Sequence, residues 1–109
     1  MKILSLIAFA FVAATLSAPA AAVDAKSAEA LVRKSKCLTC HAVDKKKDGP
    51  PFRETAAKYK DKPDAEEKLT KHVTEVSKVK VDGKEEDHET LKTDDPAQVK
   101  NVVQWILSL

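Results

Sequence analysis

The residues best placed to do chemistry are bunched in one stretch, Cys37-Leu38-Thr39-Cys40-His41. Two cysteines three apart, with a histidine directly after the second, form the attachment pattern for c-type haem. The chemistry dictates the spacing. Each thiol adds to one haem vinyl group, and the vinyls sit on adjacent pyrroles, so both sulfurs must leave a single helical turn close together. His41 then falls under the iron, where a neutral imidazole supplies the proximal ligand. The chain has two cysteines, both inside this motif.

A CxxC pair also suits a structural disulfide, half of a zinc site or a thioredoxin-like redox pair. A zinc site needs a second ligand pair, and Cys37, Cys40 and His41 are bunched too tightly to ligate one metal together. A redox pair of the thioredoxin kind sits between a buried strand and a helix, and no apolar strand precedes Cys37. Haem attachment is the reading that uses every residue of the motif.

The rest of the chain must position that motif. The first residues read as an export signal: Lys2 gives a positive start, Ile3 to Leu16 is almost unbroken apolar sequence, and Ala18-Pro19-Ala20-Ala21-Ala22 offers small-residue cleavage sites. The run is shorter than the roughly 20 apolar residues that span a bilayer. We therefore expect a cleaved signal peptide at 1–22, cut after Ala20 or Ala22, and one domain at 23–109 in the periplasm, with no membrane span in the mature form. Export suits the motif, because haem is attached covalently outside the cytoplasm.

Residues Asp24 to about Lys36 read as a first helix, capped by Asp24 or Ser27, with Ala28, Leu31 and Val32 on one face. It is expected to run directly into the cysteine motif. Lys45-Lys46-Lys47-Asp48-Gly49-Pro50 then breaks any helix. Phe52 to Tyr59 suits a short helix with Phe52, Ala56 and Tyr59 on a shared face. Asp64 and Glu67 read as a capping box for the next, whose buried stripe is Leu69, Val73 and Val76. Val79, Val81 and an Asp82-Gly83 turn suggest a brief hairpin, and Glu85 to Glu89 reads as a charged surface loop. The last helix is the plainest: Asp95 caps it, Pro96 fits its first position, and Val99, Val102, Val103 and Ile106 recur at helical spacing.

With these residues in place, the chain resembles a class I cytochrome c of the small bacterial monohaem type, over essentially all of the mature protein. The matching stretches are CLTCH, Gly49-Pro50-Pro51-Phe52, Ala56-Ala57-Lys58-Tyr59 and Val102-Val103-Gln104-Trp105-Ile106-Leu107. The resemblance implies an all-α cytochrome c fold, about four short helices wrapped around one covalently attached haem c. It implies that the carbonyl of Pro50, nine residues after His41, accepts from the imidazole N–H and fixes its orientation. It also implies that the first and last helices cross near the haem with Trp105 at the contact.

The family places a methionine on the distal side of the iron, in a loop before the final helix. The only methionine here is Met1. His88 stands in that loop, 47 residues after His41 and 17 before Trp105, and is the expected sixth ligand. His72, at the edge of an apolar helix face, is the alternative, and an open site is a third. Two imidazoles would stabilise ferric iron and lower the reduction potential relative to Met/His ligation, and acid should displace the distal one, which must be neutral to bind.

The functional reading is a one-electron carrier and not an enzyme. No catalytic residues stand out and no phosphate-binding glycine loop is present. The alternative is a haem sensor whose distal site is open or displaceable by CO, NO or O₂; peroxidase-like activity at an open site is weaker still. Without Lys2 the chain carries 18 basic and 17 acidic residues, distributed unevenly: residues 24–62 hold 11 Lys/Arg and 6 Asp/Glu, and 63–109 hold 7 and 11. Lysines from Lys34 to Lys47 could steer the protein to acidic redox proteins of a respiratory or related chain. Near-neutral net charge argues against nucleic acid, and the protein is expected to be a monomer.

A mature domain of this size with Phe52, Tyr59 and Trp105 as its only aromatics has a small core and needs a staple, which covalent haem provides. The apoprotein is therefore expected to be poorly folded. A native-like circular dichroism spectrum without haem would contradict this.

Overall fold

The first helix begins where Asp24 can satisfy the amides that a helix start leaves open. Its carboxylate accepts from the Ser27 N–H at 3.0 Å and from the Ser27 hydroxyl at 2.7 Å. The computed structural model describes residues 12–15 and 22–109, and in it this helix, α1, spans Ala25–Lys34. Most of the expected signal segment lies outside the described residues. Among these, no helix is long and apolar enough to cross a membrane.

Ala28, Leu31 and Val32 form the buried stripe of α1. The helix does not run on into the cysteines as expected. Ser35 closes it, Lys36 turns into the left-handed region at φ 62°, and Cys37–Thr39 form a separate 3₁₀ turn. A left-handed residue ends the α ladder, so the motif is re-aimed relative to the helix axis.

The last helix, α4, starts at Pro96 as expected and runs to Leu107, with Asp95 accepting from the Ala97 N–H at 2.9 Å and Pro96 in its first turn. It packs against α1. Ala28 is 0% exposed, and Val32, Val102 and Val103 are each 1% exposed. The Asn101 side chain fastens the same pair of helices, accepting from the Asp24 N–H at 2.9 Å and donating to the Asp24 carbonyl at 2.8 Å.

Between them lie two short helices. α2, Phe52–Tyr59, buries Phe52 and Ala56, and the Phe52 ring meets Trp105 edge to face at 5.9 Å. α3, Ala65–Thr74, buries Ala65 and Leu69. Two expectations fail here. Asp64 sits at the N-cap position with φ −100° and ψ 8°, and its side chain makes no cap bond; instead it pairs with Lys68 one turn along, at 3.0 Å. Val76 is 71% exposed, because α3 stops at Thr74 and Val76 no longer shares its face.

The hairpin is present and longer than expected. β1, Lys78–Val81, pairs antiparallel with β2, Lys84–Asp87, from Lys78↔Asp87 to Val81↔Lys84. Asp82 and Gly83 take φ 51° and 78°, positive at both turn positions, as a two-residue hairpin turn favours. The stretch read as a loop, Glu85 to Asp87, is thus a strand, and every β2 residue is exposed. Pairing with β1, not burial, holds it.

Among the described residues, Ser35 is the one polar residue buried with the core, at 0% exposure, and its hydroxyl accepts from the Lys92 N–H at 2.9 Å. It joins the end of α1 to the segment entering α4. Ser35→Ala would leave that amide without its partner, at a cost of about 1–3 kcal/mol. Urea denaturation of the haem-loaded protein should show the loss; an unchanged midpoint would mean water replaces the hydroxyl.

Candidate functional site

The 3₁₀ turn holds Cys37 and Cys40 together, closed by backbone bonds from Cys40 N–H and His41 N–H to the Cys37 carbonyl at 3.3 and 2.9 Å. Both cysteines are half-buried and neither is in a disulfide. Burial pushes the Cys37 thiol up, the opposite of what a redox-active thiolate needs. No group of three or more His, Cys, Asp or Glu side chains among the described residues could hold a metal ion, and the element before the motif is a helix. The zinc and thioredoxin-like readings therefore find no support.

The loop after the motif folds back and grips it. Gly49 N–H donates to the Cys40 carbonyl at 2.7 Å, and Phe52 and Arg53 N–H donate to Ala42 and Val43 carbonyls at 2.9 and 3.1 Å. Lys47 reaches across to the Leu38 carbonyl at 2.6 Å. Arg53 pairs with Asp44 over the outside of the loop. One lysine of the basic run thus acts as a brace.

This fold-back sets the His41 ring. Its Nδ1–H donates to the Pro50 carbonyl at 2.7 Å, which leaves the Nε2 lone pair as the free one. Phe52 stacks on the ring at 5.3 Å between centroids, planes 22° apart. Gly49 lies against the ring so closely that a Cβ there would sit 2.8 Å from Nδ1 and 2.9 Å from Nε2. Gly49 is read from sequence only as a helix breaker; its contact with the imidazole becomes visible only in three dimensions.

His88 faces this imidazole. The two ring centroids are 6.1 Å apart with planes at 69°. Metal–imidazole bonds of about 2.0–2.1 Å, plus roughly an ångström from each nitrogen to its ring centre, would put two rings on opposite sides of one metal ~6 Å apart. His88 Nδ1 is buried without a hydrogen-bond partner. Burial first, then the nearby His72 and His41, holds its pKa below the ordinary imidazole range, so the ring stays neutral and keeps a lone pair for a metal. His72 is exposed, yet its ring centroid lies 4.1 Å from that of His88. The free thiols, the oriented His41 and the facing His88 fit a covalently attached haem.

A side chain at Gly49 would have to displace the imidazole or the loop. Gly49→Ala is expected to break the His41–Pro50 bond and lower the yield of haem-loaded protein. Haem absorbance per chain, measured beside wild type, tests this; equal yield with an unchanged spectrum would show that the loop yields instead.

Comparisons with known proteins identify the family. The family model described as Cytochrome c matches residues 25–109. The structure of the class 1 cytochrome MtoD from Sideroxydans lithotrophicus ES-1 superimposes with a TM-score of 0.75 at 48% identity, covering 80% of this chain and 97% of that one. Wild-type cytochrome c552 from Nitrosomonas europaea gives a TM-score of 0.58 at 30% identity, covering 73% of this chain and 96% of its own. No curated protein matches the chain. The chain belongs to the class I cytochromes c: a haem-based electron carrier holding one covalently bound haem c.

Proposed function

We propose that this is an exported, periplasmic one-electron carrier of low reduction potential, its haem attached through Cys37 and Cys40 and its iron held by His41 and His88. The observation that carries the reading is the 6.1 Å separation of the two imidazoles. The supporting fact is compositional, since Met1 is the only methionine and lies in the segment expected to be removed. The haem supplies reversible exchange of one electron between its ferric and ferrous states. The residues do the rest. Pro50 and Gly49 fix the proximal ring, and the hairpin presents the distal one.

With His41 and His88 both holding the iron, a small ligand would first have to displace His88, which favours the carrier over the gas sensor. Lys34, Lys36, Lys45 and Lys46 are exposed around the attachment turn and form a basic rim suited to acidic faces of redox proteins. The protein works as a monomer in this reading.

Optical spectra of the purified ferric and reduced protein test the ligand set. Wild type should be low-spin and lack the near-infrared sulfur–iron band, His88→Ala should turn high-spin, and His72→Ala should stay low-spin. The reverse pattern in the two variants would assign the iron to His72, and a high-spin wild type that takes up CO would favour the sensor. A potentiometric titration should give a potential below that of Met/His relatives, because a second imidazole donates more strongly than a thioether.

A further inference from the structure

We propose that Ser77 is a positioning residue for His88, its hydroxyl oxygen accepting a hydrogen bond from the Nδ1–H of that imidazole. The inference rests on the reading of His88 as the distal iron ligand.

Two buried side-chain polar atoms lack a hydrogen-bond partner among the described residues: Ser77 Oγ and His88 Nδ1. Buried polar atoms are seldom left so, and each asks for an explanation. The two belong to neighbours. The hairpin register ends at Lys78↔Asp87, and one step further along the same ladder sets Ser77 opposite His88. That pair is made, because His88 N–H donates to the Ser77 carbonyl at 2.7 Å. Residues directly opposite in an antiparallel pair point to the same face, with Cβ atoms about 4.5–5.5 Å apart. A serine hydroxyl accepts as well as donates and turns among staggered positions, so it can reach a ring nitrogen across that gap.

Iron binding makes the bond necessary. When Nε2 gives its lone pair to a metal, the proton of the neutral ring must sit on Nδ1, which becomes an obligatory donor. The proximal ring solves the same problem with the Pro50 carbonyl. On the distal side, Ser77 Oγ is a buried acceptor still unused, beside a Glu89 backbone group that also lies close to the ring. His72 lies against the His88 ring but does not bond its Nδ1. An acceptor on the far nitrogen fixes ring orientation and increases the ligand's basicity, and loss of such partners typically costs 10–100-fold in metal affinity.

The test uses the ferric haem-loaded protein as wild type, Ser77→Ala and Ser77→Thr, with His88→Ala as reference. Each is titrated with exogenous imidazole and its reduction potential is measured. Ser77→Ala should bind added imidazole about 10-fold more tightly, since His88 is easier to displace, and its potential should move upward. Ser77→Thr, which keeps the hydroxyl, should restore both values. Unchanged values in Ser77→Ala, or a Ser77→Thr that matches the alanine variant, would overturn the assignment of Ser77 while leaving His88 as ligand. A His88→Ala variant that keeps the wild-type spectrum would remove the distal assignment and this inference with it.

Discussion

The contact between α1 and α4 is the constraint on which the rest of this small molecule depends. It contains the most deeply buried apolar positions, Ala28, Val32, Val102 and Val103, and the two-way bond of Asn101 to the Asp24 backbone ties the start of α1 to the middle of α4. Alanine at the centre lets the helices approach closely, and valines fill the remaining volume with few rotamers to freeze. From α4 the constraint passes outward through Trp105 to Phe52, and from Phe52 to the His41 ring. The proximal imidazole is thus two aromatic contacts from the helix pair that defines the fold.

The two sides of the site are built by different means. The proximal side is a tight backbone loop in which the Gly49 amide, the Pro50 carbonyl and the Phe52 ring all touch the motif within a dozen residues of it. The distal side hangs on a two-stranded hairpin joined to α3 through the Leu91 N–H on the Val73 carbonyl at 2.8 Å, and to α1 through Ser35. Two-stranded hairpins are marginal alone, and every β2 residue is exposed. Rigidity is concentrated where the covalent links form, and the more loosely held arm carries the candidate ligand.

Much of this was legible in the sequence because it is written in local signals. Asp95-Pro96 marks the start of α4 and the valine spacing its buried face, and Asp82-Gly83 marks the turn. CLTCH names the attachment turn, and the family resemblance adds Pro50 as the carbonyl that meets His41. What the sequence hides is non-local. Nothing in the spacing says that Ser35 is buried, since its partner is 57 residues away. Asp64 looks like a cap and fails as one because backbone torsion and Lys68 draw it elsewhere. Gly49 reads as punctuation, while its role is to leave room for an imidazole. The charged run from Glu85 reads as loop because strand pairing leaves no apolar trace when neither face of the strand is covered.

The hairpin also determines which changes of length the chain can absorb. Its turn lies four residue pairs from the Ser77–His88 pair, about 13 Å along the strands at 3.3 Å per residue. Adding one residue to each strand, or removing one from each, lengthens or shortens the arm and keeps that base pair opposed. Inserting a single residue into β2 alone breaks this parity: with a period of two, every side chain beyond the insertion changes face, and His88 would turn away from the His41 ring. Among natural variants of this arm, paired changes in length should therefore outnumber odd ones, with a bulge as the only cheap way to accommodate the latter.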